Sequence, residues 1–176
     1  MSKYNIEKLK KVARNMLKDK RFYHSLNVAD LAYKLAKAHG LDTEKAYVAG
    51  LLHDITKELD ESWQDQCLKD NNDLDKLSYP YKTKHAYTAK YYAFNTLGIS
   101  DEDILDAIYN HTICTSNKPL AKVVYIADKR EVGRNINDSI VDMAMNDLEK
   151  GYQELNKDVK KYLESKTNEK YIGWVI

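Results

Sequence analysis

Ala46-Tyr47-Val48-Ala49-Gly50-Leu51-Leu52-His53-Asp54 is the stretch on which the reading of this chain turns. An apolar helical run closes on an adjacent histidine and carboxylate, two residues for which a purely structural helix has little use. Three further candidate ligands stand at wide spacing, His24 before the pair and His111 and Asp128 after it. The chain has five histidines, at 24, 39, 53, 85 and 111, and all but His39 sit on similar helical backgrounds. So few histidines, mostly among apolar neighbours, point to side chains gathered around a metal.

Outward from this stretch, apolar residues recur at helical spacing. Ile6, Leu9, Val12, Ala13, Met16 and Leu17 mark a first helix, and Leu26, Val28, Ala29, Leu31, Ala32, Leu35 and Ala36 a second. Gly40 stops the second, and Asp42 or Thr43 caps the third. Asn71, Asn72, Asp73, Ser78 and Pro80 read as a loop, followed by a helix from about Lys84 to Leu97 that Gly98 ends. Ser100-Asp101-Glu102-Asp103 starts another as a capping box, and Pro119 suits the first turn of a helix carrying Val123, Val124 and Ile126. A last long helix is expected from about Asn137 into the 160s. With six glycines, two prolines and few alternating β-branched runs, the expectation is an all-α fold. No repeat or linker divides residues 1–176, so a single domain is expected, a helical bundle around a metal site.

Composition narrows the function classes. At 176 residues the chain can bury a core without disulfides. Its 43% hydrophobic and 31% charged content is that of a soluble globular protein. A net charge of +1 argues against a general nucleic-acid or membrane surface, so any anion site is local. Cys67 and Cys114 have no CxxC spacing, which leaves neither a disulfide framework nor a thiolate zinc site. No apolar stretch approaches the roughly 20 residues that span a bilayer, and no signal-peptide apolar region follows Met1, so a cytoplasmic location is expected.

Successive helix positions diverge by about 100°, so His53 and Asp54 share no straight face. Both can reach one ion if it sits near the end of their helix. His24 and Asp128 would complete a shell of imidazoles and carboxylates, a set that suits iron, manganese, zinc or magnesium, and residue type alone does not choose. A bland reading stands beside this one: a buried histidine and aspartate can simply satisfy each other. Lys57, three residues after Asp54, could neutralise phosphate or be solvated beside Glu58. Arg21 could orient His24, bind phosphate or form a surface ion pair. His39 reads as a helix C-terminal residue, Lys157 to Lys161 as a solvated face, and the 14 tyrosines mostly as packing, though one could stack on adenine.

The order H…HD…D resembles the HD-domain metal phosphohydrolases. Arg21-Phe22-Tyr23-His24-Ser25, Gly50-Leu51-Leu52-His53-Asp54-Ile55-Thr56-Lys57, His85-Ala86, Ile108-Tyr109-Asn110-His111-Thr112 and Tyr125-Ile126-Ala127-Asp128 look like the YqeK family of bacterial HD proteins, from about residue 5 to the 160s. The resemblance implies symmetrical hydrolysis of diadenosine tetraphosphate to two ADP by attack of metal-bound hydroxide at an iron site. It implies His24, His53, Asp54 and Asp128 as metal ligands, holding one or two ions, and His53, Asp54, Lys57 and His111 as the catalytic set. Around the nucleotide it places His24, the segment Asp54, Ile55, Thr56 and Lys57, then His85, His111, Thr112, Asp128 and Arg134, with Thr167 and Tyr171 from the tail. Lys129-Arg130-Glu131-Val132-Gly133 is more basic than the family pattern and lacks its proline, and Tyr171 to Ile176 matches the family's nucleotide-contacting end poorly. Partners are then a nucleotide or dinucleotide substrate and ADP as product, with no nucleic acid and no membrane; a homodimer is left open. Two other classes remain: the same chemistry on a nucleoside monophosphate or an alarmone, and a slow nucleotide-binding regulatory module.

Overall fold

The computed structural model describes residues 3–134 and 139–165, with side chains up to Gly133 and from Ser139 to Tyr162. Among the described residues there is no strand, as the helical periodicity predicts. The helices are α1 (Ile6–Met16), α2 (Asp19–Ala38), α3 (Thr43–Leu52), α4 (Glu61–Asp70), α5 (Tyr81–Asn95), α6 (Glu102–Asn110), α7 (Pro119–Arg130), α8 (Ser139–Asn146) and α9 (Leu148–Ser165). Short 3-10 turns cover Leu74–Ser78 and Val132–Arg134. No described helix is long and apolar enough to cross a membrane.

Caps explain most boundaries. The Asn5 side chain accepts from the Lys8 amide at 3.0 Å, and Asp42, rather than Thr43, caps α3 by accepting from the amides of Glu44 and Lys45. Gly40 ends the α2 region with φ of 64°, a left-handed value that favours glycine. Asp101 is the cap of α6, accepting from the amides of Asp103 and Ile104. Pro119 occupies the first turn of α7, where its missing N–H costs no helical bond.

Two boundaries differ from the sequence expectation. α5 runs Tyr81–Asn95, opening three residues before Lys84 on Pro80 and closing before Thr96. The single last helix is two, because the chain breaks at Asp147, whose carboxylate accepts from the Lys150 amide at 3.0 Å and starts α9. Gly151 lets α9 fold back on α8, since a Cβ there would collide with Ala144.

α3 is the central element, with Ala46, Val48, Ala49, Gly50, Leu51 and Leu52 all buried, packed by α1, α2, α6 and α7. Against it lie Val28, Ala29, Ala32 and Leu35 of α2, Ile104 and Ile108 of α6, and Val123, Val124 and Ile126 of α7. Burying one such aliphatic side chain is worth about 1.5–3 kcal/mol, the main force that sets the helices' mutual positions. The histidines and aspartates of interest therefore lie on elements fixed by this core.

Candidate metal centre

α3 stops at Leu52, with His53 as its C-cap, so His53 and Asp54 lie just past the last helical turn. The chain continues in tight turns, the Lys57 amide donating to the Asp54 carbonyl at 2.8 Å. His53 keeps helical backbone angles, with φ of −54° and ψ of −38°, and the helix tightens into turns after it, which brings the adjacent pair to one centre at the helix end. His53 is fully buried and Asp54 nearly so.

Four atoms converge there. His24 Nε2 lies 3.3 Å from His53 Nε2 and 3.2 Å from Asp128 Oδ1. His53 Nε2 lies 3.4 Å from Asp54 Oδ2 and 3.6 Å from Asp128 Oδ1, and His24 Nε2 lies 3.8 Å from Asp54 Oδ2. Among the described residues His24, His53 and Asp128 lie close enough to hold one ion, and His53, Asp54 and His111 form a second such group; Asp54 Oδ2 stands 3.4 and 3.8 Å from the two histidines of the first.

The hydrogen bonds behind these atoms decide their chemistry. His53 Nδ1 donates to the Gly50 carbonyl at 2.6 Å, and His24 Nδ1 donates to Glu131 Oε1 at 3.2 Å. Neither partner can do anything but accept, so each neutral ring presents a bare lone pair at Nε2. The two imidazole lone pairs thus face each other beside two carboxylate oxygens, of which Asp54 Oδ2 also accepts from Arg21, and a bound cation would relieve the set. In the metal-free protein a proton plays this part: burial opposes charge on His53, but Asp54 and Asp128 outweigh it and raise its pKa from 6.5 to about 9. Asp54 and Asp128 are held well below the usual carboxylate range, their desolvation overcome by His53 and, at Asp54, by hydrogen bonds from His111 and His85, and at Asp128 by the ammonium of Lys129.

A second group lies on the other oxygen of Asp54. His85 Nε2 is 2.9 Å and His111 Nε2 3.5 Å from Oδ1, and the two nitrogens are 3.0 Å apart. Here donors are present. Lys57 Nζ sits 3.0 Å from Nδ1 and 3.1 Å from Nε2 of His85, and donates to the Lys82 carbonyl at 3.2 Å. The Thr112 hydroxyl is 3.2 Å from His111 Nε2, and His111 Nδ1 donates to the Ile108 carbonyl at 2.7 Å. Burial holds both rings neutral, His85 down to about 3, and burial also lowers Lys57.

Cations close the rim. Arg21 Nη1 is 2.7 Å from Asp54 Oδ2, an ion pair with the site carboxylate and not with His24. Lys129 Nζ donates to Asp128 Oδ2 at 2.6 Å and to the His111 carbonyl at 3.1 Å, leaving Oδ1 of Asp128 turned to the histidines.

Of the expected site residues, His24, His53, Asp54, Lys57, His85, His111, Thr112 and Asp128 are thus brought together. Ile55 and Thr56 lie behind the site, fully buried. Ile55 belongs to the apolar core, and the Thr56 hydroxyl donates to the His85 carbonyl at 3.1 Å and meets the Thr88 hydroxyl at 2.8 Å. Neither side chain faces the rim; their part is to support His85 and the turn. The side chain of Arg134, and Thr167 and Tyr171, lie outside the described residues. His39 is at the far end of α2, its Nε2 2.6 Å from the Ala144 carbonyl, as a helix C-terminal residue should be.

Sequence reasoning missed Glu131, Asn27 and Lys129. A signal existed for two of them: Glu131 follows Asp128, and Asn27 follows His24, by three residues, a spacing that keeps side chains on one side of a helix.

The HD domain family model matches residues 21–133, the span from Arg21 to Gly133 that carries every described site residue. A Staphylococcus aureus protein named bis(5'-nucleosyl)-tetraphosphatase, symmetrical, is 39% identical over 87% of this chain and 82% of its own length. A Mycoplasma genitalium protein named probable nicotinate-nucleotide adenylyltransferase/Ap4A hydrolase is 37% identical over 78% of the chain, which spans 41% of that longer protein. Among solved structures, one described as a predicted HD superfamily hydrolase involved in NAD metabolism, from Clostridium acetobutylicum, superposes with a TM-score of 0.82 at 28% identity. The match covers 98% of this chain and 97% of that one.

Proposed function

The chain belongs to the HD-domain family, and on that premise we propose that it is a metal-dependent hydrolase cleaving diadenosine tetraphosphate symmetrically into two ADP. The observation that carries this reading is the convergence of His24, His53, Asp54 and Asp128 on one centre, rimmed by Arg21, Lys57 and Lys129. Such a set holds a cation, and such a rim suits a polyanion. The relatives named for symmetrical tetraphosphate hydrolysis, in Staphylococcus aureus and also in Bacillus subtilis at 32% identity, supply the substrate and the bond.

A divalent ion, when bound, supplies Lewis-acid polarisation of a phosphoryl oxygen and makes water acidic enough to attack near neutral pH. Around it the protein's groups divide the work. Lys129 holds Asp128 Oδ2 and leaves Oδ1 toward the imidazoles, while Arg21 pairs with Asp54 Oδ2, the oxygen on the His53 side. His85 Nε2 faces two acceptors, Asp54 Oδ1 at 2.9 Å and His111 Nε2 at 3.0 Å, which keeps the ring proton on Nε2. A neutral imidazole N–H stabilises developing charge without giving its proton away. A departing ADP needs little more, because the second pKa of a terminal phosphate is about 6.

Our reading is one ion per chain, at His24, His53, Asp54 and Asp128, with Lys57 and the Thr112 hydroxyl occupying the His85–His111 side. We assign iron to the site, from the mixed nitrogen and oxygen shell without thiolates and the family resemblance. His85, His111, Thr112, Lys57, Lys129 and Arg21 then face the phosphates, and ADP is the product.

Incubation of the iron-loaded protein with diadenosine tetraphosphate, nucleoside monophosphates and guanosine tetraphosphate, followed by chromatography, tests the substrate. Conversion of the dinucleotide to ADP is expected, and turnover of only the others would overturn the reading. Metal-free protein should regain activity with ferrous iron under anaerobic conditions. Recovery with zinc or magnesium but never with ferrous iron would refute the assignment of the metal.

A further inference from the structure

We propose that Glu131 is a positioning residue for His24: its carboxylate fixes the ring with the proton on Nδ1 and so makes Nε2 a metal ligand. This rests on the metal reading above.

The carboxylate is buried and wholly committed. Oε1 accepts from His24 Nδ1 at 3.2 Å, while Oε2 accepts from Asn27 Nδ2 at 2.9 Å and from the Gly133 amide at 2.5 Å. The backbone is arranged to allow this. α7 ends at Arg130, and Glu131 has an extended backbone with ψ of 154°, which lets its side chain turn back over Gly133. A Cβ at position 133 would lie 2.8 Å from Oε2 and 3.2 Å from Asn27 Nδ2, so glycine leaves the space the carboxylate fills. A carboxylate on the far nitrogen of a ligating histidine sets the tautomer, aims the ring and raises its basicity.

Glutamine is a sharp probe because it has the same size and only one acceptor. Three donors point at this group, and the Gly133 amide cannot turn away. The amide oxygen of a glutamine therefore goes to Gly133 and Asn27, and its NH2 faces His24 Nδ1. That nitrogen must then become the acceptor, and the proton moves to Nε2, the atom that faces Asp128. A ring protonated there is not a ligand.

The test is binding of manganese to the full-length, metal-free chain, followed by the resonance of free ion, with thermal unfolding of the metal-free protein measured beside it. Glu131→Gln should bind about 10–100-fold more weakly than the unmodified chain, with little change in the unfolding temperature. Gly133→Ala should weaken binding in the same direction while leaving every charge in place, and answers the question if Glu131→Gln does not fold. In zinc-loaded protein labelled with nitrogen-15 histidine, His24 should show a protonated Nδ1. Unchanged affinity in both variants, while His24→Ala loses the ion, would overturn the proposal, as would an unprotonated Nδ1 in the zinc-loaded chain. If the unmodified chain binds no ion at all, the metal reading fails first.

Discussion

Gly50 of α3 packs so closely on Ala29 of α2 that a Cβ on Gly50 would stand 2.8 Å from the Ala29 Cα. This contact sits one turn before His53 and five residues after His24, and it brings the two imidazoles to 3.3 Å. The Gly50 carbonyl is also the acceptor for His53 Nδ1. The crossing of α2 on α3 and the spacing of the metal ligands are therefore one feature.

Gly50→Ala should force the two backbones apart. Overpacking of this kind costs about 1–3 kcal/mol, and the larger consequence is a widened ligand set. A lower unfolding temperature together with weakened metal binding is expected. Metal affinity unchanged in a destabilised variant would show that the crossing and the ligand spacing are independent.

Metal binding should release a proton at neutral pH. Despite its burial, His53 has a pKa raised to about 9 in the metal-free fold from an ordinary 6.5, through the carboxylates of Asp54 and Asp128. A folded-state pKa raised in this way contributes stability fully present below about 6.5 and lost as pH rises through about 9. The ion competes with that same proton, so affinity should climb by up to about tenfold per pH unit from 7 to 9 and then level off. Calorimetric titrations in buffers of different ionisation enthalpy measure the protons released. No proton release at pH 7 would contradict the protonation of His53 in the metal-free site.

His85→Gln and Lys57→Met should keep one ion per chain and lose turnover. Removing a donor aimed at developing charge costs about 10²–10³ in rate. Elemental analysis and initial rates on the same preparations separate the two effects. Loss of an ion from His85→Gln, with two ions in the unmodified chain, would place a second metal on Asp54 Oδ1 and displace Lys57 from its assigned part.

Much of this was legible in the sequence, for identifiable reasons. The core faces of α2, α3, α6 and α7 announce themselves by periodicity, and His53-Asp54 is conspicuous because it closes an apolar run. The break at Asp147 was not legible, since the pattern continues on both sides and Gly151 reveals its purpose only against Ala144. Ile55 and Thr56 adjoin the ligands in sequence, yet the turn after Leu52 sends both side chains inward. Lys129 and Glu131 sat in a stretch read for its basic character, whereas their roles depend on where α7 ends and which way the chain turns there.

The central claim, cleavage at the middle of the tetraphosphate, is tested most directly by hydrolysis in heavy-oxygen water with mass analysis of the nucleotides. The account predicts ADP as the only nucleotide product, with one ADP of each pair carrying the label on its terminal phosphate. AMP and ATP as products would contradict it.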